Sequence, residues 1–212
     1  MNHTDNQLSI QKYKKVAELY DESAEFTMPL RRRTIELLNL QPGQCVLDVG
    51  AGTGLSYELL LQGVGASDTV STGKVLAFEQ SPEMFAHAQR RVQRRSWGNV
   101  WHTCAMAEQV QLPQMADAVL FNYVHDVSRT PEAIANIMRQ VRPGARVAMA
   151  GMKFFPWWTG PLNILAWLKN RPYNAKPADL WAPWDIVQTY CDSFSIVSTQ
   201  MGMGYLAHGI RK

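Results

Sequence analysis

Apolar residues recur along this chain in short continuous runs, separated by stretches with a helical period. Val46-Leu47-Asp48-Val49, Lys74 to Glu79 (KVLAFE), Asn99 to Cys104, Ala116 to Asn122 (ADAVLFN) and Ala145 to Met149 each read as a buried strand. Between them lie helix signals. Leu55 to Leu61 opens one after a glycine-rich turn. Ser81 caps a second, with Pro82 in its first turn and Met84, Phe85, Ala88 and Val92 inward. Thr130-Pro131-Glu132 starts a third, in which Ile134, Ile137, Met138 and Val141 occupy i, i+3, i+4 and i+7 before Arg142-Pro143-Gly144 stops it. Strands alternating with helices predict an α/β fold: a doubly wound, mostly parallel sheet with helices on both faces. Phe194 to Thr199 and Met203 to Ile210 read as a terminal antiparallel pair.

The flanks read differently. Ser9 to Tyr20 suggests a helix with Ile10, Tyr13, Ala17 and Tyr20 on one face. A second runs from Pro29 to Leu40 with Leu30, Leu37 and Leu38 inward, and its Arg31-Arg32-Arg33 run reads as a solvated face, with an arginine reaching an acidic substrate as the lesser alternative. After Gly151 the composition shifts to Phe154, Phe155, Trp157, Trp158, Trp167, Trp181 and Trp184, interleaved with prolines, and Pro161 to Lys169 reads as a short helix. The expected division is one domain over 1–212: N-terminal cap helices in 1–43, a core in 44–151, an aromatic-rich lid in 152–192 and the terminal pair in 193–212.

Length and charge narrow the classes. A chain of 212 residues has the size of one α/β domain. Its net charge of +3 is too small to argue for nucleic acid, and the arginine-rich stretch Arg90 to Arg95 has no interleaved aromatic platform. Cys45, Cys104 and Cys191 are far apart, form no metal or redox pattern and read as structural. With no apolar run long enough to span a bilayer and no signal peptide, a cytoplasmic protein is expected. The oligomeric state stays open.

The most informative stretch is Asp48-Val49-Gly50-Ala51-Gly52-Thr53-Gly54. Its G-x-G-x-G spacing departs from the dinucleotide fingerprint G-x-G-x-x-G, since Leu55 stands where the third glycine would fall. No P-loop lysine follows either. The stretch resembles the first motif of class I S-adenosylmethionine-dependent methyltransferases. That resemblance implies S-adenosylmethionine as cofactor, with Asp48 orienting its methionine end and Gly50, Gly52 and Gly54 letting the adenosyl portion lie against the turn. Glu79, an acid ending the second strand, is positioned to accept from the ribose hydroxyls. Gln80, Met84, Met106, Ala107 and Asn122 complete the implied cofactor set. Met106 is a departure, since many relatives carry there an acid that accepts from the adenine amino group. The family's leading helices often close over the cofactor, so Tyr20 either touches its sulfonium side or anchors its helix.

Methyl transfer is an in-line displacement that needs alignment, exclusion of water and often a base. The loop Tyr123-Val124-His125-Asp126-Val127 follows the fourth strand and would face the transferable methyl. His125 is then either a base or substrate contact, or simply hydrogen-bonded. A metal is not expected, because Gly151-Met152-Lys153 replaces the further acidic pair of metal-dependent relatives. Tyr123, Trp157, Trp158, Tyr173 and Trp181 are the candidate contacts to a small-molecule substrate, while the tryptophan-rich segment otherwise packs a subdomain or makes weak contact with a membrane surface. The expected function is methylation of a small molecule. Two alternatives stand beside it: a cyclase that consumes S-adenosylmethionine, releasing methylthioadenosine and forming azetidine-2-carboxylate, and a non-catalytic cofactor-binding subunit or regulator.

Overall fold

A computed structural model describes residues 25–66, 73–155, 159–160, 162–164, 168 and 180–212. The expected first helix with Tyr20, and Trp157, Trp158 and Tyr173, lie outside these residues, as does most of the expected helix from Pro161 to Lys169, of which 162–164 and 168 are helical.

The apolar runs become strands β1 (Cys45–Val49), β2 (Lys74–Glu79), β3 (Val100–Cys104), β4 (Ala116–Asn122), β5 (Val141–Met152), β6 (Cys191–Thr199) and β7 (Gly204–Arg211). The helices are α1 (Met28–Leu37), α2 (Tyr57–Gly63), α3 (Pro82–Arg95), α4 (His125–Ser128), α5 (Pro131–Met138) and α6 (Asp185–Thr189). The seven strands form one sheet in the order β3-β2-β1-β4-β5-β7-β6. The first five are parallel, and β7 runs antiparallel to both β5 and β6.

The central strands read as near-continuous apolar runs because both faces of the sheet are covered. Along β1 and β4, Leu47, Val49, Val119 and Phe121 point into one core with Ile134, Ile137 and Met138. Val46, Ala118 and Leu120 point into the other, with Leu38, Tyr57 and Leu60. Strand order reverses between β1 and β4, and in a sheet of this kind ligands sit outside the carboxyl ends of the strands at that reversal.

Four local readings change. Val141 does not continue a helix: α5 ends at Met138, and Val141 pairs with Ala116 at the start of β5, ahead of a register shift before Ala118. The segment after β4 is not all loop, since a short helix begins at His125. Cys104 is exposed rather than buried, because β3 is an edge strand and Cys104 is its last residue. The fourth change concerns the arginine run. Thr27, Leu30, Arg31, Thr34, Ile35 and Leu38 form the buried face of α1 and its flanks, so Arg31 points inward while Arg32 and Arg33 are exposed.

Candidate cofactor and acceptor cleft

At the carboxyl ends of β1, β2 and β4 lies a cleft with about 700 Å³ of empty space, open to solvent on one side. Its walls include Asp48, Gly50, Gly52, Glu79, Gln80, Met84, Ala107, Asn122, Tyr123 and His125, so these ten expected positions converge. Arg31, Ala51, Phe78, Val124, Asp126 and Val127 line it as well.

Three expected positions are placed elsewhere. Gly54 does not line the cleft. A Cβ there would stand 2.6 Å from the Tyr57 ring, so its lack of a side chain serves the packing of α2 beneath the turn. Met106 is absent from the walls, and the neighbouring Ala107 takes its place. The Ala107 carbonyl is held from below by the Asn136 amide, whose Nδ2 donates to it at 2.9 Å. Trp181 is 48% exposed, stacks edge-on against Phe154 and lies outside the lining.

At the β2 corner the backbone makes the site. Gly52 sits at φ +60°, where a glycine carries no steric penalty, and its N–H donates to Glu79 Oε2 at 2.9 Å. The Ser81 N–H donates to Glu79 Oε1 at 2.8 Å, and the Ser81 hydroxyl accepts from the Met84 N–H, capping α3. Arg91 of α3 reaches back so that its Nε donates to the Thr53 carbonyl at 3.0 Å and ties helix to turn. Burial raises the Glu79 carboxyl above its ordinary value, while the N–H groups of Ser81, Gly52 and Gln80 pull it back.

The β1–β4 corner is built from side chains. Asp48 is 2% exposed, and among the described residues its Oδ2 has no hydrogen-bond partner. Burial pushes its carboxyl up to about 7; the nearby Arg31 charge opposes this shift and Glu79 adds to it. Both polar atoms of the Asn122 side chain are likewise buried and unpartnered. Buried polar groups are normally satisfied, so unpaired ones facing a cleft mark where a ligand's own donors and acceptors belong. Next to them Tyr123 holds a left-handed backbone at φ +60°, an uncommon state for an aromatic residue. The Arg31 guanidinium lies 5.0 Å from the centre of its ring.

His125 completes that corner. Its Nε2 stands 2.7 Å from the Met152 carbonyl oxygen. A carbonyl only accepts, so Nε2 carries the hydrogen and Nδ1 is the acceptor nitrogen. Burial lowers the imidazole pKa, opposed by the Met152 carbonyl and by Asp126. Among the described residues no three His, Cys, Asp or Glu side chains gather as a metal site.

These features fit S-adenosylmethionine. The unpaired Asp48 and Asn122 offer acceptors and a donor for its amino-acid end, Glu79 offers carboxylate oxygens for ribose hydroxyls, and Gly50 to Gly52 leave room for close approach.

Sequence inspection missed the inward-facing Arg31 because it weighed the three arginines together. The signal was present: Thr27, Arg31, Thr34 and Leu38 recur at helical spacing, and Arg32 and Arg33 fall off that face.

Comparison with known proteins agrees. A family profile described as a methyltransferase domain matches residues 46–144. A protein-L-isoaspartate O-methyltransferase of Aeropyrum pernix is 29% identical over 66% of this chain and 48% of its own length. The aklanonic acid methyltransferase DauC of a Streptomyces species is 25% identical over 91% of this chain and 92% of its own. The chain spans about half, or less, of most of the curated relatives it matches. A crystal structure of a SAM dependent methyltransferase from Aquifex aeolicus superposes with a TM-score of 0.65 at 20% identity, over 86% of this chain and 89% of that one. Glycine turn, sheet order and these relatives converge: residues 46–144 match a methyltransferase domain, and along most of its length the chain is similar to S-adenosylmethionine-dependent methyltransferases.

Proposed function

We propose that this protein methylates a small-molecule acceptor at the carboxyl ends of β1 and β4, with S-adenosylmethionine as donor. The observation that carries the reading is the pair of buried, unpartnered polar side chains, Asp48 and Asn122, facing a cleft walled by the glycine turn and Glu79. The cofactor supplies a methyl carbon made electrophilic by its sulfonium. Everything else falls to the chain. Asp48 and Asn122 bind the amino-acid end, and Glu79 accepts from the ribose. Met84 and Ala107 give apolar contact.

His125 takes the acceptor's proton at Nδ1. Its Nε2–H bond to Met152 fixes the ring's orientation and stabilises the imidazolium that results. Its lowered pKa keeps the ring neutral, and so able to accept, at neutral pH. A small acceptor is supported by the Streptomyces relative, which is named for aklanonic acid and matches almost the whole chain. We take the chain as one domain. No helix among the described residues is long and apolar enough to cross a membrane.

The test is incubation of purified protein with S-adenosylmethionine, with and without a panel of small acceptors, separating adenosyl products by mass. S-adenosylhomocysteine formed one-for-one with a methylated acceptor is expected. Methylthioadenosine above the uncatalysed background, formed without any acceptor, would overturn the reading in favour of cyclisation. Saturable binding without turnover across the panel would favour a regulator.

A further inference from the structure

The cleft's lining also holds a cationic side chain that the mechanism above does not use. Arg31 is 5% exposed and lines the same cleft as Asp48. Its Nε donates to Thr27 Oγ1 at 3.0 Å, and its guanidinium rests over the Tyr123 ring. Both partners are uncharged. No ion pair to Arg31 occurs among the described residues, although its charge acts on the Asp48 carboxyl. Withdrawing a charge from water carries a large desolvation penalty, and a hydroxyl and a ring face do not neutralise it. With Nε tied to Thr27 and the plane set by Tyr123, the terminal Nη groups remain to donate, and such a fork matches the two oxygens of a carboxylate.

We propose that Arg31 is a carboxylate-binding residue of the cleft, held in register by Thr27 and Tyr123. This rests on the cofactor reading above. An unpaired acid and an unpaired guanidinium in one cleft complement a zwitterion: the ammonium of an α-amino acid goes to Asp48 and its carboxylate to Arg31. The carboxylate belongs either to the cofactor's amino-acid end or to an acidic acceptor, and the two sources separate experimentally.

The experiment is calorimetric titration of wild type and Arg31→Met with S-adenosylhomocysteine and with methylthioadenosine, which lacks the amino-acid end. S-adenosylhomocysteine affinity is expected to fall on the order of 10- to 100-fold while methylthioadenosine affinity holds within about threefold. The second ligand doubles as the check on folding. A merely electrostatic role beside Asp48 predicts the opposite sign, because removing a cation from the cleft strengthens ammonium binding.

If S-adenosylhomocysteine affinity does not fall, benzoate is titrated into the S-adenosylhomocysteine-saturated proteins. Benzoate binding to wild type and not to Arg31→Met assigns the carboxylate to the acceptor and keeps the proposal; equal behaviour overturns it. Should Arg31→Met fail to bind methylthioadenosine, Arg31→Lys keeps the charge without the planar fork. A severalfold drop in its preference for S-adenosylhomocysteine over methylthioadenosine supports the proposal, and an unchanged preference overturns it. Wild-type protein that binds neither nucleoside removes the cofactor reading itself, a different result from one confined to Arg31.

Discussion

At the β2 corner of the cleft both oxygens of Glu79 already hold backbone N–H groups, whereas at the β1–β4 corner Asp48 and Asn122 carry buried polar atoms that nothing among the described residues satisfies. The first corner is finished before any ligand arrives. Its geometry comes from a tight turn and a capped helix, so a ligand there meets preorganised groups and reorders little. The second keeps an acid, an amide and a guanidinium apart at a standing cost in desolvation, recovered when a ligand pairs them. On the function proposed above, one corner positions the ligand and the other discriminates.

The sharpest way to break this contrast is at the turn. Gly52→Val places a β-branched residue at φ +60°, strained by about 1–3 kcal/mol, and directs its methyls into the cleft. Its nearest neighbour at Cβ is Met84 Cε at 3.8 Å, so the turn has space and the protein is expected to fold. S-adenosylhomocysteine affinity should drop by about 100-fold or more by calorimetry. Unchanged affinity would move the site away from this turn. The converse effect is expected at the other corner. His125→Ala should lower kcat by about 100-fold, with S-adenosylhomocysteine affinity within about threefold of wild type. It also leaves the Met152 carbonyl without its donor, so melting should be measured alongside. Full turnover in a folded variant would reduce His125 to a hydrogen-bonded spacer.

Glu79→Gln sharpens the distinction further. The amide has the right shape but must turn an NH₂ group toward one of the two backbone N–H donors, from Gly52 and Ser81. The expected result is a fall of about tenfold in S-adenosylhomocysteine affinity together with a lower melting temperature. A loss of affinity with no loss of stability would mean that Glu79 serves the ligand and not the turn.

The two corners also differ in how far they can be read from sequence, for the same physical reason. Gly50, Gly52, Glu79 and Ser81 act through a local strand–turn–helix unit and one parallel neighbour, so spacing and strand ends locate them. The loop after β4 points to Tyr123 and His125 in the same way, but their settings act across elements, a left-handed backbone at Tyr123 and a ring bonded to the far end of β5, and Arg31 on α1 escapes spacing altogether. The alternation of runs is enough for the parallel sheet and its antiparallel finish. It misplaces the start of β5, where Val141 keeps a helical phase from α5 but is claimed by pairing with Ala116. Gly54 shows the limit of reading a motif whole, since this glycine belongs to the Tyr57 packing and not to the cleft.

The smallest expected effect concerns protons at the unfinished corner. The Asp48 carboxyl in the unliganded protein is raised to about 7 by burial, so the folded chain holds this proton more tightly than the unfolded chain does. Its contribution to stability is therefore fully present below its unfolded value near 3.8 and is lost as pH rises through about 7. Binding has the opposite slope. A ligand ammonium favours the ionised carboxyl, so binding below about 7 must expel a proton, and affinity for S-adenosylhomocysteine should fall about tenfold per pH unit there at most. Glu79 is raised in the same direction, so the assignment needs a variant. Asp48→Asn should bind more weakly at pH 8 yet lose most of the slope between pH 8 and 5.5. Titrations in two buffers of different ionisation enthalpy should show a proton released near pH 6 by wild type and much less by the variant. A slope that survives in Asp48→Asn would place the titrating group at Glu79. The β2 corner, for all its satisfied hydrogen bonds, would then be the one that senses charge.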